Sequence, residues 1–200
     1  MGDTITDTAN WYREYYDRKG PDRNNLLKNP EVLFQALATD ASVVAVLRST
    51  GLDSTKSTVL DVGCGSGSSL VSMMRLGFSP SNLRGIDVLG DRIAEARSKL
   101  PNVPFHCGDA RCMEFPDSAF DLVMEWTMFV QITDKSLSRQ IAQEMLRVTK
   151  PGSFVLLVDW RYSKPGNAQY KGLNLERIRS LFDVGSRTTL LSLQDRKSVV

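Results

Sequence analysis

Residues 59–67 read Val59-Leu60-Asp61-Val62-Gly63-Cys64-Gly65-Ser66-Gly67. A short β-branched and apolar run (58–62) gives way to three glycines at alternate positions, and a helical stretch follows over 69–76. A strand that is apolar on both sides is the mark of a buried parallel strand. A glycine-rich turn gains meaning when it joins such a strand to a helix. Gly63 permits a tight turn, Gly65 lets a ligand approach the backbone where no Cβ stands, and Gly67 lets the next helix pack closely. Asp61 lies at the strand end and faces the cleft. Its carboxylate would repel a pyrophosphate and would accept a cationic or hydroxyl-rich ligand.

Outward from this turn, the same alternation continues. Apolar residues recur at helical spacing over 30–48 before it. After it come strands at 83–88, 103–107, 120–125 and 153–160, with helices at 90–100, 136–148 and 175–182 and a last strand at 188–193. Lys150-Pro151-Gly152 reads as a turn. Alternating strands and helices imply a parallel sheet. The expected fold is α/β, a doubly wound Rossmann-like, mainly parallel sheet with helices on both faces. Residues 1–50 form an N-terminal helical cap or arm, with a short helix at 10–18, and residues 51–200 form the main domain.

Three acids recur near strand ends, where ligands bind in such sheets. Asp87 ends the second strand, 20 residues after Gly67, where a carboxylate can accept two ribose hydroxyls. Asp109, in Gly108-Asp109-Ala110, follows the third strand, where a carboxylate can accept from an exocyclic amine. Glu125 and Trp126 end the fourth strand.

Taken together, these motifs resemble the class I S-adenosylmethionine-dependent methyltransferases of the type 11 kind, whose members often act on small molecules. The likeness spans residues 58–160 and rests on Asp61 to Gly67, Asp87, Gly108 to Ala110, the Phe120-Asp121-Leu122-Val123 strand and the hairpin from Leu146 to Gly152. The resemblance implies S-adenosyl-L-methionine as cofactor. Asp61, Gly63, Cys64 and Gly65 would line its amino-acid and ribose part, and Asp87 would hold the ribose hydroxyls. Val88 would pack on adenine, with Gly108, Asp109 and Ala110 at the adenine edge. Glu125 and Trp126 would sit near the sulfonium, and Tyr12 and Tyr16 would close the pocket from the arm. The family sheet has seven strands. This chain ends at Val200, soon after its sixth candidate, so either the seventh strand is missing or the C-terminus is truncated, and a homodimer through the exposed edge of strand five follows as an expectation.

The implied reaction is methyl transfer to an oxygen or nitrogen of a small-molecule acceptor, with sugars and secondary metabolites preferred. Glu125 and Asp159 are the candidate bases, since the lone histidine, His106, reads as a packed strand residue. The Asp/Asn-Pro-Pro-aromatic signature of nucleobase-directed enzymes is absent; Glu125-Trp126-Thr127-Met128 stands in its place. Two alternatives remain: a cofactor-binding module that has lost turnover, and an NAD-dependent oxidoreductase.

Composition sets the outer limits. At 42% hydrophobic and 24% charged, the 200 residues exclude global disorder and a coiled-coil rod. Net charge is +2, too balanced to argue for nucleic acid. From Arg161 onward, however, eight basic residues face three acidic ones. Uninterrupted apolar runs are short, so no bilayer span is expected. The N-terminus has no apolar signal core. Three cysteines (Cys64, Cys107, Cys112) and one histidine argue against a zinc site and suit a reducing, cytoplasmic setting.

Overall fold

The computed structural model describes residues 25–163 and 169–183, together with Glu14, Asp22 and Gly166. Apart from Glu14, the expected helix at 10–18 lies outside the described residues, as do Tyr12, Tyr16 and the expected strand at 188–193. Of the described residues, those up to Ser49 belong to one compact unit and those from Thr50 onward to another.

Helix α1 (Pro30–Thr50) runs two residues past its expected end. Gly51, with φ of +71°, then leaves the helix in the left-handed conformation that glycine adopts without a Cβ penalty. Val43 and Leu47 are buried, whereas Leu33, Phe34 and Leu37 are exposed. Its most apolar 18-residue window has a mean hydropathy of 1.4, so by length and composition alone α1 is long and apolar enough to cross a bilayer. This corrects the expectation drawn from unbroken runs. Gln35, Thr39, Asp40 and Ser42 interrupt the apolar residues without lowering their average far.

The second unit is built on a five-stranded parallel sheet in the order β3-β2-β1-β4-β5. Its strands are β1 (Val59–Val62), β2 (Leu83–Asp87), β3 (Phe105–Cys107), β4 (Phe120–Trp126) and β5 (Thr149–Val158). Helices α2 (Ser68–Arg75), α3 (Gly90–Lys99), α4 (Lys135–Val148) and α5 (Leu175–Phe182) complete it. This is the doubly wound, Rossmann-like architecture. Strand order reverses between β1 and β4, which opens the ligand crevice at their carboxyl ends. Register fixes what lines it: Asp61 lies beside Gly85 and Met124, and Val62 beside Ile86 and Glu125.

The core forms where α4 and α5 cover the sheet. Ile141, Ala142, Met145 and Val148 of α4 cluster with Leu60, Val62, Val123, Leu181 and Phe182, all nearly inaccessible to solvent. Burial of each large side chain contributes about 1.5–3 kcal/mol. Asp134 caps α4 by accepting from the Leu137 amide. Helices α2 and α3 bury Leu70, Met73, Ile93 and Ala96 in turn.

Two strands differ from the sequence reading by two residues or more. Strand β3 is shorter, beginning at Phe105. Strand β5 begins at Thr149 and includes the Lys150-Pro151-Gly152 segment read as a turn; Phe120 pairs with Thr149, and the register then shifts before Leu122 meets Phe154. Among the described residues β5 is an edge strand, where a proline costs the sheet no ladder bond.

Gly85 marks a close approach within the sheet. A Cβ there would stand 2.7 Å from Phe105 Cδ1 and 2.8 Å from Cys64 Sγ. Valine suits strand backbone, so Gly85→Val isolates the packing cost. It should destabilise the fold by about 1–3 kcal/mol in urea unfolding, and Cys64→Ala in the same chain should recover part of the loss. An unchanged unfolding midpoint would contradict this packing.

Candidate functional site

The turn after β1 uses its own donors internally. Gly63 and Cys64 both donate their amides to Ile86 O, at 2.8 and 3.1 Å, and the Gly67 amide donates to Cys64 O at 2.9 Å. The Gly65 amide donates to Asp87 Oδ2 at 2.8 Å. Phosphate cradles need such amides free, and here three in a row are taken. Gly63, Gly65 and Gly67 have φ of +73°, +51° and +83°, which is why glycine stands at each. A Cβ on Gly65 would have nothing within 4 Å, so its crevice side is open.

Asp61 has no solvent exposure. Its Oδ2 accepts from Ser69 Oγ on α2, while Oδ1 is buried without a hydrogen-bond partner. Burial pushes its carboxyl up to about 7, against the Ser69 hydrogen bond and with a further push from the Asp87 charge. A cation beside Oδ1 would restore the charged form. Asp87 bridges two loops, its Oδ1 accepting from the Leu89 amide at 2.9 Å and its Oδ2 from Gly65. Burial raises its pKa, opposed by these two amides. Each carboxylate oxygen accepts more than one hydrogen bond, so both can still receive ligand hydroxyls.

The residues expected on the adenine side cluster at the ends of β2 and β3. Val88 is 41% exposed despite its apolar side chain, and the Gly108 amide donates to Asp87 O. Asp109 turns back on Arg111: Oδ1 accepts the Arg111 amide and Oδ2 its Nε, both at 2.8 Å. Burial alone would raise the Asp109 pKa, but the Arg111 hydrogen bonds together hold it below the usual range. Ala110 packs against the core. Cys64 contributes differently from expectation. Its thiol is buried and points back over Gly85, so only its backbone belongs to the turn. Burial, then the Asp61 and Asp87 charges, push this thiol far up and keep it neutral.

The acids expected as bases both accept backbone amides. Glu125 has no exposure; its Oε2 accepts from the Met128 amide at 2.8 Å, and Oε1 is buried without a hydrogen-bond partner. Burial, and then the nearby Asp159 charge, raise its pKa well above its ordinary value and favour the neutral form. Asp159 accepts from the Val130 and Trp160 amides, each at 2.7 Å. Asp159 thus spends both carboxyl oxygens on backbone amides and Glu125 spends one, leaving Oε1 unpartnered. His106 is exposed on β3, its ring edge-on to Phe115 at 4.8 Å, rather than packed inside. Trp126 is half-buried at the end of β4.

Four features escaped the sequence reading. Ser69 partners Asp61, and its place eight residues on, in the first turn of α2, was an available signal. Thr127 has φ of +60°, a strained conformation for a β-branched residue, at the end of β4 where function sits. Met128 lies against Gly63, its Sδ 2.8 Å from where a Cβ would stand. Arg177 reaches from α5 to the carbonyls of Phe129 and Ile132, at 2.9 and 2.6 Å. Only tertiary structure reveals the last three.

With this geometry in hand, the class can be stated. Residues 59–152 match the methyltransferase domain family, and the chain carries a class I S-adenosylmethionine-dependent methyltransferase domain. It is 31% identical over 141 residues to the 2-methyl-6-phytyl-1,4-hydroquinone methyltransferase of Synechocystis sp., covering 68% of this chain and 42% of that protein. It is 31% identical over 131 residues to a probable chloroplastic tocopherol O-methyltransferase of Oryza sativa subsp. japonica, covering 62% and 35%. Among solved structures, the PH0226 protein of Pyrococcus horikoshii superposes with a TM-score of 0.57 at 27% identity, over 72% of this chain and 60% of that one. The chain thus spans less than half the length of these curated relatives.

Proposed function

We propose that the protein transfers a methyl group from S-adenosyl-L-methionine to an oxygen or nitrogen of a small-molecule acceptor, with hydroquinone-like acceptors ahead of sugars. The observation that carries the cofactor reading is the pairing of an unpartnered, buried Asp61 Oδ1 with glycine-turn amides already used internally. That donor set fits a cofactor with an ammonium and a sulfonium and no phosphate. Asp61 would take the ammonium, Asp87 the ribose hydroxyls, Val88 the adenine face, and Asp109 and Ala110 its edge. The cofactor supplies an activated methyl on a positively charged sulfur. The chain supplies alignment, and effective molarity of that kind can contribute about 7–11 kcal/mol.

The acceptor preference rests on two supports. First, the named relatives act on a phytyl hydroquinone and, by name, a tocopherol. Second, backbone amides occupy both carboxyl oxygens of Asp159 and one of Glu125, whose buried carboxyl is raised well above its ordinary pKa, an arrangement that favours an acceptor needing little help from a base. A phenolic hydroxyl, with a pKa of about 10, gives up its proton far more readily than a sugar hydroxyl, and so needs less help. The free thiols of Cys64, Cys107 and Cys112 support a reducing, cytoplasmic setting. Incubation with methyl-labelled cofactor and a panel of acceptors tests the reading: a prenylated hydroquinone in micelles should take up label and simple sugars should not. Label in a sugar and none in the hydroquinone would overturn the acceptor choice.

A further inference from the structure

Beside its backbone bonds, the loop that follows β4 is tied by three ionisable side chains. Glu125 accepts the Met128 amide and Asp159 the Val130 amide. Arg177 donates to the carbonyls of Phe129, Ile132 and Lys171, and the Lys171 amide closes the frame on Val130 O at 2.8 Å. The same loop carries Met128, whose side chain lies against Gly63 in the cofactor turn. We propose that Glu125, Asp159 and Arg177 act together as positioning residues that press the 127–132 loop onto the Gly63 turn and so set the cofactor site. This inference rests on the cofactor reading above.

The chemistry of the cluster follows from its charges. Glu125 is faced by Asp61 from β1, Asp159 from the end of β5 and Arg177 from α5. Three carboxyls and one guanidinium balance only if two carboxyls keep their protons. Burial raises the pKa of Asp61 and Glu125, the two without solvent exposure, so these hold theirs in the ligand-free protein while Asp159 stays ionised beside Arg177. A neutral Glu125 still accepts the Met128 amide. Ionised, it would repel Asp159 and loosen the frame. Glutamine reproduces the neutral form and cannot ionise.

Calorimetry with S-adenosylhomocysteine and amide hydrogen exchange, on wild type, Glu125→Gln and Glu125→Ala, test this. Glu125→Ala should weaken binding at least tenfold and lower protection of the Met128 and Val130 amides at least tenfold. Glu125→Gln should stay within threefold of wild type on both at pH 7. Above neutral pH, wild-type protection should fall while that of Glu125→Gln holds. If Glu125→Gln fails as badly as Glu125→Ala, or loses protection at high pH as wild type does, the inference is overturned. Amide protection reports on the loop without any ligand, so failure of the cofactor reading would show separately, as wild-type protein that binds no S-adenosylhomocysteine.

Discussion

Replacing Asp61 by Asn should make the ligand-free protein more stable at pH 8 by about 2 kcal/mol, while weakening S-adenosylhomocysteine binding at least tenfold. The argument is one of linkage. In the unfolded chain an aspartate ionises near 3.9, whereas in the fold burial holds Asp61 up to about 7. The folded state therefore binds the proton more tightly, and its stability from this residue is present below pH 4 and lost as pH rises toward 7. At pH 8 the cost of ionising Asp61 in place is on the order of 4 kcal/mol, at about 1.4 kcal/mol for each tenfold difference in acidity. Asparagine removes that cost and keeps an oxygen for Ser69. Its own amide hydrogens remain unpaired where Oδ1 stood, which takes back about 1–3 kcal/mol. Chemical unfolding at pH 5 and pH 8 reads the effect: the gain should be large at pH 8 and small at pH 5. A variant less stable than wild type at both pH values would show that Asp61 is not held under strain for a cation.

Asp87→Ala should lower S-adenosylhomocysteine affinity by about 3 kcal/mol, roughly a hundredfold, because two charge-assisted hydrogen bonds of about 1.5 kcal/mol each are lost together. The loss has a second source. Asp87 anchors the amides of both Gly65 and Leu89, so its removal frees the glycine turn and the start of α3 at once. Asp87→Asn separates the two: it retains an oxygen for one amide and should fall between wild type and alanine. A folded Asp87→Ala protein with affinity within threefold of wild type would remove the ribose assignment.

The parts of the site that were legible in sequence are those set by local chemistry. Asp61, the alternate glycines and Asp87 lie at strand ends whose apolar runs are unmistakable, and burial on both sides of a parallel strand leaves such runs intact. The fold followed for the same reason. What stayed hidden depends on contacts between distant segments. Arg147 was quoted only as part of a hairpin motif, yet its guanidinium binds Glu144, Asp117 and the carbonyls of Met113 and Phe115, stapling a long loop to α4. Asp121 opens β4, as read, and ties the strand bases together: it accepts the Thr58 amide and hydroxyl and pairs with Lys150. Glu125 lies in β4 as expected, whereas Asp159 falls one residue past the end of β5, and strand position does not say which way a carboxyl turns. Asp159 gives both oxygens to backbone amides and Glu125 gives one. Nothing in the sequence around Gly85 announces that Phe105 and Cys64 converge on it.

The central claim is that a buried carboxylate crevice takes a sulfonium nucleoside and not a dinucleotide. Parallel calorimetric titrations of the intact protein with S-adenosylhomocysteine and with NAD at pH 7.5 test it most directly. The expected result is saturable one-to-one binding of S-adenosylhomocysteine with no heat from NAD beyond dilution. Saturable binding of NAD, with S-adenosylhomocysteine leaving the protein unchanged, would contradict it.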